Sequence, residues 1–338
     1  MSAQVDIAVV GATGVVGREV LNALVERSIA PERLTLLASE RSVGEEVEYA
    51  GETLPVEAAS ADSFRGKGLV LFAVPAEATK PLALAAQGAG AWVVDASAAF
   101  RGTDVPVVLP AVNRKVALED FRGRILRCPS ACASALLTAL EPLRQAYGLT
   151  QVTVTALLAA SSSGERGVLE LEKQTAALLT GKDLHPEVYP HRLGFNVIPQ
   201  VGEFVDADTR EELAWREDAH CVWGEGPASR AISGTAVQVP SFFGHLLSVT
   251  FVLGATPSVD EIRDRLLTTP SLKVLDDPKE RIYPMPQLVT SDPTVHVGRL
   301  RAMPAVRGGF AAVLGVDNVG RGAALNLVET GETLLGRA

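Results

Sequence analysis

Two stretches carry residues that could do chemistry. In Arg127-Cys128-Pro129-Ser130-Ala131-Cys132-Ala133-Ser134 a thiol stands just past a proline. The extended run Arg124-Ile125-Leu126 precedes it and an amphipathic segment, Ala135 to Tyr147, follows, which predicts a strand end, a turn at Pro129 and a helix start. Ser130 is then the N-cap, its hydroxyl accepting from a first-turn N–H. A thiol in such a turn faces the positive end of the helix dipole, ionises more readily and becomes nucleophilic. Cys132 is therefore a candidate covalent catalyst; the alternative is a small buried residue at a helix start. The second stretch is Gly11-Ala12-Thr13-Gly14-Val15-Val16-Gly17, between a buried strand (Val5 to Val10) and a helix expected from Arg18 to about Arg27. Strand, glycine loop and helix in that order form the context of a dinucleotide-binding loop. The glycines allow backbone to approach a pyrophosphate, and the helix N-terminus supplies N–H donors. A glycine-rich turn that merely packs helix on strand is the plainer reading.

The next strand, Leu34 to Ala38, ends in Ser39-Glu40-Arg41-Ser42. An NAD site normally has an acid at this strand end, bonding the ribose 2′-hydroxyl. Ser39, Arg41 and Ser42 instead offer hydroxyls and a guanidinium suited to a 2′-phosphate, which favours NADP, while Glu40 leaves room for NAD.

These residues need a scaffold. Leu69 to Val74 and Ala91 to Ser97 are buried strands around a helix at Ala76 to Gly88, and Val105 to Leu109 and Ile125-Leu126 are further extended runs. Alternating units of this kind predict a parallel sheet covered on both faces. From Val152 the pattern changes to half-buried strands (Gln151 to Leu158, Gly234 to Pro240, Leu246 to Leu253, Val295 to Gly298, Phe310 to Asp317) and helices (Val168 to Leu179, Asp208 to His220, Val259 to Thr268). A closing helix is expected over Gly322 to Leu335. The fold class is thus α/β, with a second α+β domain carrying a mainly antiparallel sheet. The domains are set at residues 1–130 plus 318–338 and at 131–317.

Composition limits the partners. A net charge of −9 without a basic run argues against nucleic acid. No apolar run reaches the length of a membrane span and no signal peptide opens the chain, so a soluble cytoplasmic protein is expected. Cys128, Cys132 and Cys221 show no zinc spacing, and no metal is expected.

Taken together, the chain resembles the aspartate-semialdehyde dehydrogenase family nearly end to end. The resemblance rests on the glycine loop, Leu37-Ala38-Ser39-Glu40-Arg41-Ser42-Val43-Gly44, Val94-Asp95-Ala96-Ser97-Ala98-Ala99-Phe100-Arg101, Phe195-Asn196-Val197-Ile198-Pro199-Gln200, Val239-Pro240-Ser241-Phe242-Phe243-Gly244-His245 and the run Asp317 to Asn326. It implies an NADP-binding Rossmann domain completed by the C-terminal helix, a substrate domain whose sheet forms a homodimer interface, and reductive dephosphorylation of aspartyl phosphate to the semialdehyde. In that reaction a cysteine thiolate forms a thioester, a histidine acts as acid and base, and an arginine clamps the substrate carboxylate. By position, the resemblance assigns His245 to the acid/base, Gly11, Thr13, Gly14, Val15, Val16, Gly17, Ser39, Arg41, Ser42 and Asn318 to the cofactor, and Gln238, Glu165, Arg101 and Asn113 to the substrate.

The same alignment exposes departures. The family's Asn-Pro-Asn-Cys falls on Cys128-Pro129-Ser130-Ala131, so the nucleophile position is Ala131 and Cys132 lies one place later, turned by about 100° along a helix. The substrate arginine is Gln238, a lysine is replaced by Glu165 with Arg166 beside it, an asparagine is Ala96 and an acid is Ala111. Two readings follow. One is an NADP-dependent dehydrogenase using Cys132 in a shifted geometry. The other is a non-catalytic or repurposed, regulatory family member that binds nucleotide, or a partner, as a dimer. Short-chain dehydrogenases are set aside, because no tyrosine has a lysine four places on.

Overall fold

The computed structural model describes residues 5–114, 123–182 and 184–336. The chain forms two compact units, Met1–Pro129 with Ala323–Ala338, and Ser130–Gly322.

In the first unit short apolar runs make a seven-stranded sheet: β1 (Ile7–Val10), β2 (Leu34–Ala38), β3 (Glu46–Tyr49), β4 (Glu52–Ala58), β5 (Leu69–Phe72), β6 (Trp92–Asp95) and β7 (Ile125–Arg127). Their order is β3-β4-β2-β1-β5-β6-β7, parallel throughout except for the β3–β4 hairpin. Alternation of side chains along β1 serves both faces. Ile7 and Val9 join a core with helix α1 (Val15–Glu26) and the C-terminal helix, Leu325–Leu334. Ala8 and Val10 join another with helix α2 (Ala76–Gly88). The parallel, doubly covered sheet is the expected one; the hairpin was not foreseen. Its glutamates at 46 and 48 point to water while Tyr49 is buried, the usual protection of an edge strand by charge. The expected run Val105 to Leu109 yields only a bridge between Val107 and Arg127, since Pro106 and Pro110 have no N–H for a ladder.

In the second unit six strands form a mixed, mainly antiparallel sheet. Its members are β8 (Leu149–Leu158), β11 (Ile232–Gln238), β12 (His245–Leu253), β13 (Leu272–Val274), β14 (Val295–Ala302) and β15 (Gly309–Val316), in the order β11-β8-β12-β15-β14-β13. β9 (Phe204–Val205) and β10 (Asp208–Thr209) form a separate short ladder. The β8–β12, β12–β15 and β14–β15 pairs are antiparallel; β11–β8 and β13–β14 are parallel. The helices are α3 (Ala131–Tyr147), α4 (Gly164–Leu179), α5 (Arg210–Trp223), α6 (Pro227–Arg230), α7 (Val259–Leu267) and α8 (Pro286–Val289). Helices α3 and α7 pack against the sheet, which buries Val152, Val154, Val249 and Phe251. The alternate residues Thr153, Thr155, Ser233, Thr235 and Ser248 are exposed.

The closing helix begins at Leu325, not Gly322, after a π-turn over Gly320–Ala324. The Asp317 carboxylate takes the N–H groups of Val319 and Gly320, both at 3.0 Å, and its carbonyl takes that of Gly322 at 2.7 Å. Among the described residues no helix is long and apolar enough to cross a membrane.

Candidate active site

The glycine loop is built for close approach. Gly11 has φ +91°, and a Cβ on Gly17 would lie 1.9 Å from the Gly11 carbonyl oxygen, so neither position accepts a side chain without the turn opening. Helix α1 begins at Val15 rather than Arg18, because Gly14 takes the extended N-cap conformation and accepts from Arg18 N at 2.9 Å. No side chain caps α1 and no acid sits in its first turn, which leaves its positive end to an anion. The Thr13 hydroxyl donates to Ser42 Oγ at 3.4 Å, drawing the glycine loop to the turn after β2. Ser39 and Arg41 are exposed there and Ser42 is half-buried. These residues fit a dinucleotide pyrophosphate and its ribose.

Two further candidates in this unit have local partners. The Asn113 amide donates to Val107 O and accepts from Leu109 N, both at 2.8 Å, so it holds its own loop. Arg101 is half-buried, and its charge acts on Asp95. Burial pushes the Asp95 carboxyl up; the bonds from Ser97 and the charges of Arg127 and Arg101 oppose that.

Gln238, His245 and Asn318 gather at one edge of the six-stranded sheet. Register brings together the end of β11 (Gln238 opposite Leu158), the end of β8, the start of β12 (His245 opposite Val316) and the end of β15. Ala159 N donates to His245 Nδ1 at 3.1 Å, so the neutral ring carries its proton on Nε2. His245 is 2% exposed, and burial pushes it down to about 3. It is a hydrogen-bond donor at neutral pH, not a base ready to take a thiol proton. Gly244, just before it, has φ +81°, and a Cβ there would meet Pro286 O at 2.8 Å. Asn318 lies in this second unit: its Oδ1 accepts from Gly244 N at 3.0 Å and its Nδ2 donates to Ser161 Oγ at 3.0 Å. It thereby fastens the turn that carries His245.

Gln238 is 2% exposed and engaged: Nε2 donates to Leu158 O at 2.9 Å, and Oε1 accepts from Ser162 Oγ at 3.2 Å. Glu165 is exposed in the first turn of α4, where its charge offsets the positive helix end.

The N-terminus of α3 decides the covalent chemistry. Ser130 is the N-cap as expected, accepting from Ala133 N at 3.3 Å. Ala131 follows, half-buried; a Cβ on Gly322 would stand 2.7 Å from its methyl. Cys132, next along, is 1% exposed. The expected ease of ionisation is reversed: burial pushes the thiol well above the ordinary range, and the charge of Glu211 and a hydrogen bond to it push the same way. Desolvation and a like-signed neighbour outweigh the helix dipole. Glu211 is itself held by the Trp215 indole N–H at 2.9 Å. A second acid of α5, Asp218, is fully buried and accepts Ser130 N at 2.8 Å.

Glu211, Asp218, Ser161 and Ser162 were not singled out from the sequence. Asp208 to His220 reads as a charged helix. The available signal was the spacing of Glu212, Trp215, Asp218, Ala219 and Val222, which puts two acids on the buried stripe of α5. Glu212 is buried on that stripe and accepts from Thr209 N at 2.6 Å and Ala236 N at 2.8 Å.

Thiol reactivity follows from these positions. Cys128 and Cys132 are buried and Cys221 is exposed. A disulfide-exchange reagent should modify Cys221 rapidly in the folded protein, and the two buried thiols only after denaturant is added. Cys221→Ser should remove the fast phase. A fast phase that survives in that variant would place a reactive thiolate at one of the buried positions.

Comparison with known proteins adds the lineage. Residues 6–119 match the family model described as semialdehyde dehydrogenase, NAD binding domain, and residues 140–321 the model described as semialdehyde dehydrogenase, dimerisation domain. The chain is 35% identical over 338 residues to the aspartate-semialdehyde dehydrogenase of Bacillus subtilis, with 97% of this chain and 96% of the relative covered. It is 32% identical over 334 residues to that of Aquifex aeolicus, covering 97% of each. The crystal structure of aspartate semialdehyde dehydrogenase II complexed with ASA from Vibrio cholerae matches with a TM-score of 0.93 at 32% identity, covering 98% of each chain.

Proposed function

The chain belongs to the aspartate-semialdehyde dehydrogenase family, and from that premise we propose that it is a homodimeric, NADP-binding member in which reductive dephosphorylation of aspartyl phosphate is impaired or lost. The observation that carries this reading is the start of α3: a methyl at Ala131, and a thiol at Cys132 that is buried against Glu211. The competing reading, Cys132 as a displaced nucleophile, requires that thiol to leave its contact with Glu211 and ionise. Turnover of aspartate semialdehyde, phosphate and NADP⁺ by the purified chain tests the choice.

The nucleotide reading rests on the loop from Gly11 to Gly17 and the uncapped start of α1, which would hold the pyrophosphate, with Ser39, Arg41 and Ser42 at the adenosine ribose. A bound nicotinamide supplies hydride chemistry; these side chains bind and orient it. NADPH should bind more tightly than NADH in calorimetric titrations. Arg41→Ala should weaken NADPH by about tenfold or more, the loss of one charge-assisted hydrogen bond, with NADH unchanged. Equal affinities, insensitive to the substitution, would overturn the preference.

The match to a dimerisation domain supports self-association, and the exposed Ser/Thr face of the six-stranded sheet is the surface we assign to it. Light scattering at micromolar concentration should give twice the chain mass, and Thr155→Arg, placed mid-face, should give the monomer. A monomeric wild type would remove this part of the proposal.

A further inference from the structure

Helix α4 and the segment after it line a cavity of about 250 Å³. Its floor is a closed polar network. Glu170 Oε2 accepts from Glu187 N at 2.9 Å and Val188 N at 2.6 Å, and its Oε1 accepts from Gln174 Nε2 at 2.9 Å. Gln174 Oε1 in turn accepts from Leu193 N and Gly194 N, each at 2.9 Å. This network pins the segment to the helix and leaves little hydrogen-bonding capacity on the floor for a ligand.

What faces the cavity is of three kinds. Leu169 and Leu184, each 43% exposed, form apolar wall with Val188. Arg166 and Lys173 stand on the α4 side, seven residues apart on one helix face, and His185 belongs to the segment after the helix. Glu187 contributes a carboxylate. Among the described residues the side-chain charges of Arg166, Lys173 and Glu187 and the imidazole of His185 have no ion pair or hydrogen bond. A pocket that offers basic groups, an acid and aliphatic wall complements a ligand with an anionic group, a cationic group and an aliphatic body. A cavity of about 150 Å³ already takes benzene, so this one suits a molecule of about ten heavy atoms and is too small for a dinucleotide. A dianion would be repelled by Glu187, and no cluster of metal-ligating residues exists among the described residues.

We propose that this cavity binds a free aliphatic α-amino acid. Its carboxylate is held by Arg166 and Lys173, its ammonium by Glu187, and its side chain lies against Leu169, Leu184 and Val188. The proposal is independent of whether the sheet-edge site retains chemistry.

The test is calorimetric titration of the full-length protein with L-leucine, with 4-methylpentanoate, which lacks the ammonium, and with 3-methylbutylamine, which lacks the carboxylate. Leucine should bind saturably, and more tightly than either fragment. Arg166→Gln/Lys173→Gln should weaken leucine by about tenfold or more, and Glu187→Gln should weaken leucine but not 4-methylpentanoate. All these side chains are exposed, and unchanged circular dichroism and NADPH binding establish that the variants fold. No saturable leucine binding up to about 10 mM, binding unchanged in the variants, or 4-methylpentanoate as tight as leucine would each overturn the proposal.

Discussion

Purified wild-type protein given aspartate semialdehyde, phosphate and NADP⁺ should form NADPH at least about 10³-fold more slowly than the lower end of the ordinary enzyme range of roughly 1–10³ s⁻¹. Three features act together. Alanine at position 131 cannot form a thioester, and the adjacent thiol is held neutral by burial and by Glu211. Gln238 has no charge for a substrate carboxylate and already bonds Leu158 and Ser162; loss of a charge-assisted pair costs about 2–3 kcal/mol of binding. Glu165 adds negative charge at the start of α4, where an anion would otherwise be stabilised. His245 remains, and with its proton on Nε2 it is a hydrogen-bond donor rather than a base in this fold. Ala131→Cys should introduce a half-buried, reagent-accessible thiol, and Ala131→Cys/Gln238→Arg should raise turnover above the wild type. Wild-type turnover in the ordinary range, lost in Cys132→Ser, would restore Cys132 as the nucleophile.

The second large effect is on stability in acid. His245 is pushed from 6.5 in the unfolded chain to about 3 in the fold. Its folded value is the lower one, so between these limits the unfolded state binds the extra proton. The neutral ring's contribution is complete above about pH 6.5 and is lost as pH falls toward 3. Its slope is about 1.4 kcal/mol per pH unit. His245→Asn keeps an acceptor for Ala159 N and removes the titration. The stability difference between variant and wild type, measured by denaturant unfolding, should therefore shift in the variant's favour by about that amount per pH unit below pH 6. Parallel acid limbs for the two proteins would show that His245 is not buried neutral.

Local signals in the sequence reached as far as local physics does. The glycine loop was legible because strand, turn and helix are contiguous; its Gly11 and Gly17 are the two glycines that backbone approach requires. Ser130 was legible as an N-cap because capping joins residues only three positions apart. The alternation of Gln151 to Leu158 announced a strand with one buried face. The direction and acidity of Cys132 were not legible, since both depend on Glu211, a residue on another helix. The burial of Asp218 was hidden for the same reason: an acid in a charged helix reads as solvated until its partner, Ser130 N, is known. The late start of the last helix depended on a side chain, Asp317, capping the preceding turn.

Whether position 132 supplies a nucleophile is tested most directly by intact-protein mass spectrometry after incubation with aspartate semialdehyde and NADP⁺ without phosphate. A working thiolate would accumulate an acyl-enzyme under these conditions. The expected result is an unchanged mass for the wild type and an acyl adduct only in Ala131→Cys/Gln238→Arg. A wild-type adduct that maps to Cys132 would contradict the loss of covalent chemistry.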